Sequence, residues 1–163
     1  MNKKEQSALR SAIRYDELED VIDRIENLAL DIEIEDGTPL VYAVLYEKID
    51  LVKYLIEQGA NVNALYENHF TPLMSAVENE NIELIKLLLE AKADVNRKDR
   101  HGNDALFKAV DTENIELIKF LVDAGANPFM GDNPEQYSAY DSAKDIESDE
   151  VVAYFDTIRQ KFS

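Results

Sequence analysis

A chain of 163 residues, 45% of them hydrophobic, can bury the core of one domain without help from metals or disulfides. It has no cysteine, which removes disulfides, thiolate metal ligands and cysteine nucleophiles together and suits a reducing compartment. The formal net charge of −17 repels polyanions, so nucleic acid and anionic membrane surfaces are excluded as expected partners.

In chain order, Met1 to Arg14 carries Lys3 and Lys4 but no apolar segment of signal-peptide type. Leu9 and Ala12 mark a first helix, Leu18, Val21, Ile22 and Ile25 a second, and Asp31, Ile32 and Glu33 occupy the turn after it. The longest near-apolar run, Leu40 to Tyr46, is far too short to cross a bilayer, and the expectation is a soluble, cytoplasmic, monomeric protein.

From Leu40 onward the chain repeats. Leu40, Leu73 and Leu106 are 33 residues apart, as are Ala43, Ala76 and Ala109, then Ile49, Ile82 and Ile115, and then Leu55, Leu88 and Leu121. Within each unit, Thr38–Pro39 and Thr71–Pro72 open a short helix, the hydroxyl as cap and proline at the first helical position, where its missing N–H costs nothing. Asp104 replaces threonine in the third unit and can still cap. A turn at Glu47–Lys48 or Glu80–Asn81 leads to a second helix. In that helix Ile82, Leu84, Ile85, Leu88 and Leu89 form a buried face, with Glu83, Lys86 and Glu90 outside. Gly59 and Gly125 end their second helices in the left-handed conformation that favours glycine. Lys92 stands at that place in the middle unit, so its turn is expected to be strained. Near the end, Tyr137 to Tyr140 stands where Thr-Pro-Leu stood, and Val151, Val152, Tyr154 and Phe155 continue the second-helix register through Phe162.

Half of the 34 carboxylates lie in two end segments, nine between Glu17 and Asp36 and eight between Asp132 and Asp156, which suits solvated caps. Between them, Gly37 to Gly131 holds 15 acidic and 9 basic residues, a net of only −6. His69 and His101 are the only histidines and fall in successive loops, about 10 Å apart if packed helical layers separate them, too far for one metal ion. No nucleophile elbow, ordered triad or phosphate-cradling glycine loop is present. The expectation is a protein without catalytic residues, metal or cofactor.

The unit resembles the ankyrin repeat: 33 residues, Thr-Pro-Leu, an alanine three residues on, a second helix such as Ile82-Glu-Leu-Ile-Lys-Leu-Leu-Leu89, and endings such as Gly59-Ala-Asn-Val-Asn63. The glycine that precedes the threonine by two in that family is Asp36 and His69 in the first two units and is kept only as Gly102 in the third. The resemblance implies an all-α fold, an α-solenoid of about five ankyrin repeats in a single domain. A capping repeat would span 1–35, full repeats 36–68, 69–101 and 102–134, and a second capping repeat 135–163. It further implies a protein–protein interaction module whose concave side is formed by loop tips and first helices.

Carried over residue by residue, that side offers Ile34, Glu35 and Gly37 at the first tip, with Val41, Leu45 and Tyr46 on the following helix. The second tip offers Leu65, Tyr66, Glu67, Asn68 and Phe70, followed by Met74, Glu78 and Asn79. The third offers Lys98, Arg100 and Asn103, followed by Phe107, Asp111 and Thr112, and the last offers Asp132, Asn133 and Gln136. The tips read as acidic at Glu33 to Asp36, aromatic at Tyr66 and Phe70, and basic at Arg97, Lys98 and Arg100. Two readings of Tyr66 and Phe70 stay open: they contact a partner, or they pack down on the adjacent loop. For Tyr42 and Tyr54 helix packing is expected. Two functions also stay open. One is an adaptor that holds a protein partner with a basic surface in the groove. The other is an immunity or inhibitor protein that masks the active site of a cognate bacterial toxin or enzyme.

Overall fold

A computed structural model describes residues 1–15, 17–26, 28–131 and 137–162. Among them ten α-helices follow one another in five pairs. α1 (Lys3–Tyr15) pairs with α2 (Leu18–Ile25), α3 (Pro39–Leu45) with α4 (Ile49–Glu57), and α5 (Pro72–Glu78) with α6 (Ile82–Glu90). α7 (Ala105–Asp111) pairs with α8 (Ile115–Asp123), and α9 (Ala139–Asp145) with α10 (Asp149–Ile158). The first members stack as an inner row, α1 on α3 on α5 on α7 on α9, and the second members lie behind them, α4 on α6 and α8 on α10. The architecture is the all-α solenoid that the register implies.

Four of the inner helices, α3, α5, α7 and α9, are only seven residues long, too short to be stable alone. Caps and burial hold them. Thr38 Oγ1 accepts from Val41 N at 3.4 Å, Thr71 Oγ1 from Met74 N at 3.2 Å, and Asp104 Oδ1 from Phe107 N at 2.9 Å. At α9 Ser138 and Asp141 form a reciprocal capping box, and the serine's hydrogen bonds hold the Asp141 carboxyl below its ordinary range. That part of the stability is therefore present above the ordinary carboxylate pKa and lost as pH falls through the lowered value. Leu40, Leu73 and Leu106 are at most 1% exposed, and Ala43, Ala76, Ala109 and Ala143 are fully buried where the inner helices approach one another. Each such leucine contributes about 2 kcal/mol of burial.

In the outer row Leu84, Ile85 and Leu88 are buried and Leu89 is half-buried, but Ile82 is 39% exposed. It departs from the buried face expected of it because it is the first residue of α6, where the chain has just left the turn at the stack's edge. The last second helix is also shorter than its register: α10 ends at Ile158, and residues Arg159–Phe162 form a 3-10 turn. That end is sealed by rings. Phe129 lies 5.4 Å from Tyr140 and 6.1 Å from Phe162, and the Arg159 guanidinium sits 4.5 Å from the centroids of both Phe129 and Tyr140.

Gly59 and Gly125 close their helices at φ +91° and +101°, and Lys92 takes the same left-handed place at +68°. A second left-handed series lies at the turns between the helices of a pair: Glu47, Glu80, Glu113 and Glu147, with φ from 51° to 57°. At three of them the next residue's N–H reaches back to the inner helix, Lys48 N to Ala43 O at 2.8 Å, Asn81 N to Ala76 O at 3.0 Å and Ser148 N to Ala143 O at 3.0 Å, while Asn114 N donates to Thr112 Oγ1 at 3.3 Å. A non-glycine residue there costs about 1 kcal/mol. Two of the glutamates accept a bond from the next repeat: Asn81 Nδ2 donates to Glu47 and Asn114 Nδ2 to Glu80, both at 2.7 Å. The same asparagines cap α6 and α8 through Oδ1. The edge of the stack is therefore laced repeat to repeat.

Candidate functional site

The first tip is a two-residue turn, Glu35–Asp36, closed by Ile34 N to Gly37 O at 2.7 Å. The second and third are one residue longer, closed by Tyr66 N to Phe70 O and Asp99 N to Asn103 O, both at 2.8 Å. Arg100 N then donates to Asn68 O at 2.7 Å, so these two tips are joined along the stack. In the shorter first turn Ile34 is fully buried in the hydrophobic core, and Val41 and Met74 are at most 2% exposed. These three cannot face a partner, because an aliphatic side chain beside packed inner helices gains more from the core than from water. Glu35 is exposed, but its carboxylate pairs with Arg10.

Seven of the expected residues, Leu45 among them, come together in one cleft. Tyr66, Glu67, Asn68 and Phe70 from the second tip meet Glu78 and Asn79 at the end of α5, with Leu45, Ser75, Asp99, His101 and Lys108, around about 330 Å³. Tyr66 and Phe70 are both half-buried, so each ring packs in part and keeps part of its surface open. The Tyr66 ring meets Tyr42 edge-on at 6.0 Å, while its remaining surface lines the cleft. Burial, and then the neighbouring Glu67, push the Tyr66 phenol above its ordinary pKa. Tyr42 is 1% exposed, stacked on Tyr46 at 6.0 Å, and is a packing residue as expected.

Sequence reasoning missed the residues at the floor of the cleft. Lys108 Nζ lies 3.5 Å from Asp99 Oδ2, 3.8 Å from Glu78 Oε1 and 5.2 Å from the centroid of Phe70. The Asp99 side chain is 2% exposed and also accepts from the backbone N–H groups of His101 at 2.8 Å and Asn103 at 3.0 Å. The available signal was the register: 33 residues earlier, Lys108 and Asp99 correspond to Ser75 and Tyr66. An ionisable pair at two positions that are buried or half-buried marks a place where two units differ in chemistry.

The third tip is less basic than its sequence. Lys98 Nζ lies 2.5 Å from buried Asp104, the residue that caps α7, which leaves Arg97 and Arg100 exposed. Arg97 lines a separate cleft of about 480 Å³ with Asp31, Glu33, Glu35, Asp36 and Leu65, so it faces the acidic first tip. Asn103 is half-buried and closes its own turn, and Asp111 is exposed. The Thr112 hydroxyl donates to Ala109 O and accepts from Asn114 N, so it serves a turn. Phe107 is half-buried with Tyr137 at 6.0 Å. Asp132, Asn133 and Gln136 lie outside the described residues. Among the described residues no group of three His, Cys, Asp or Glu side chains could hold a metal, and no helix is long and apolar enough to cross a membrane.

A family model described as ankyrin repeats (3 copies) matches residues 9–99 and 40–132, and these two matches together span more than half of the chain. No curated protein matches the chain at a significant level.

Proposed function

Because this chain belongs to the ankyrin repeat family, whose repeats generally mediate protein–protein interaction, we propose that it holds a protein partner across the face of loop tips and inner helices. The family is typically non-enzymatic, and binding is the whole of the proposed activity. The observation that carries the reading is the central cleft. Tyr66 and Phe70 supply half-buried aromatic surface there, and Glu67, Glu78 and Asn79 supply polar groups at its edge. Asn68 lines the same cleft, and Glu35, Tyr46, Leu65, Arg100, Asn103 and Asp111 are proposed as further contacts elsewhere on the face. The chain acts as a cytoplasmic monomer on a partner with a basic surface, which the net charge of −17 would attract.

The test is affinity capture from the native cell with the wild-type chain and with Glu78→Arg, followed by mass spectrometry. Glu78 is exposed but pairs with Lys108 at 3.8 Å, so equal thermal melting of the two chains is the control for folding. A protein retained by the wild type and lost with Glu78→Arg supports the reading. A protein retained equally by both moves the site elsewhere. Alanine at Tyr66 or Phe70 is the weaker probe, because both rings are half-buried and their loss would also lower stability.

A second reading is favoured by the two acidic ends: a protein that masks the active site of a basic toxin or enzyme, steered by long-range attraction. Association should then slow steeply with salt, and the captured partner should lose its own activity in the complex. A partner that stays active when bound leaves the adaptor reading.

A further inference from the structure

The first helix carries a charge opposite to the rest of the chain. Residues 1–15 hold Lys3, Lys4, Arg10 and Arg14 against Glu5, a net of +3, which leaves −20 on the remainder of a chain whose total is −17. A small cleft of about 220 Å³ opens beside this helix, lined by Ser7, Arg10, Ser11, Arg14, Tyr15 and Tyr46.

The two arginines play different parts. Arg10 is committed to the fold: it pairs with Glu35 and lies 5.9 Å from the Tyr42 centroid, tying α1 to the first tip. Arg14 is not. Its guanidinium lies 5.1 Å from the Tyr15 centroid and 5.2 Å from that of Tyr46, and among the described residues it pairs with no carboxylate. Tyr15 is 69% exposed and Tyr46 is half-buried, itself stacked on buried Tyr42. A guanidinium held between rings keeps its planar fork of N–H donors in one orientation, so less freedom is lost when a second planar group arrives. The group that matches that fork is a carboxylate, taken through two parallel hydrogen bonds. Arginine and tyrosine are also the residue types that dominate binding energy at interface centres.

We propose that this cleft receives an Asp or Glu side chain of the protein partner, with Arg14 as bidentate donor, Tyr15 and Tyr46 as walls, and the Ser7 and Ser11 hydroxyls at its edge. The proposal rests on the reading that a protein lies across the tips and inner helices. It gives that face a polarity. Arg14 stands at the α1 end, and Glu67 and Glu78 stand at the cleft between α3, α5 and α7. The partner's segment is therefore acidic at one end and basic toward the other, and a uniformly basic segment is disfavoured at α1.

The test needs no partner. Arginine side-chain Nε–H signals of the full chain are followed by 15N NMR during titration with N-acetylglutamate amide and with its neutral isostere N-acetylglutamine amide, at matched ionic strength. The expected result is a saturable shift of the Arg14 signal with the first compound only, which Arg14→Gln abolishes while backbone signals of the repeats stay in place. Equal responses to both compounds, or a response elsewhere on α1 that survives Arg14→Gln, would overturn the assignment. Inorganic phosphate saturating the site at about tenfold lower concentration than N-acetylglutamate amide would also overturn it, reassigning the cleft to a phosphate. A failed capture in the cell leaves this titration interpretable, and a failed titration leaves capture through the central cleft standing.

Discussion

At the α3 step of the inner row the gap between helix and tip is filled by rings, and one repeat later it is filled by charges. Tyr42 lies buried between Tyr46, stacked on it, and Tyr66, edge-on to it. At the same register in the next unit stand Ser75 and Asp99, and the space is closed by Lys108 reaching back from α7 to Asp99 and Glu78. The aromatic step draws its stability from apolar area, which salt barely affects. The ionic step exchanges some of that stability for groups whose energy depends on their partners and on the solvent. A repeat protein whose units differ in this way has a distinct address at each step.

The largest expected effect breaks the aromatic step. Tyr42→Ala should lower unfolding free energy by about 4 kcal/mol in urea denaturation, and by the same amount at low and high salt. Asp99→Ala should cost about 3 kcal/mol, because it leaves Lys108 half-buried with one partner fewer and two backbone N–H groups unpaired. In a double-mutant cycle with Lys108→Ala, the coupling should be about 1 kcal/mol and shrink with salt. A salt-independent coupling would erase the distinction between the two steps.

Much of this was written in the repeat. The interval of 33 placed Leu40, Leu73 and Leu106 in the core and the threonine caps before them, and composition alone named Gly59 and Gly125 as helix stops. What escaped depends on distance rather than spacing. Lys98 reads as basic until Asp104 is found folded against it, six residues on. Ile34 reads as a tip residue because the first tip is one residue shorter than the others, and a missing residue leaves no mark in an apolar alternation of Ile32 and Ile34. The left-handed glutamates had no local signal at all. Nothing in Glu47 or Glu80 favours positive φ, and their reward is an asparagine of the following repeat.

That last point sharpens the comparison with smaller effects. Lys92→Gly should raise stability by about 1 kcal/mol, since Gly59 and Gly125 hold the equivalent place in neighbouring units. An unchanged melting temperature would show that the lysine side chain compensates. At the other left-handed series, Glu113→Gly should stabilise by somewhat less than 1 kcal/mol. Glu80→Gly should change little, because the relief of strain is offset by losing the bond from Asn114. Equal gains at both positions would mean that this bond contributes nothing.

Among the described residues each inner helix packs mainly on its own outer helix and on the inner helices before and after it, and the lacing along the edge joins adjacent repeats. A chain fastened this way has no keystone. Pulled from its two ends, it would yield as a series of separate force peaks, one for each pair of helices, with the ring-sealed C-terminal pair holding longest.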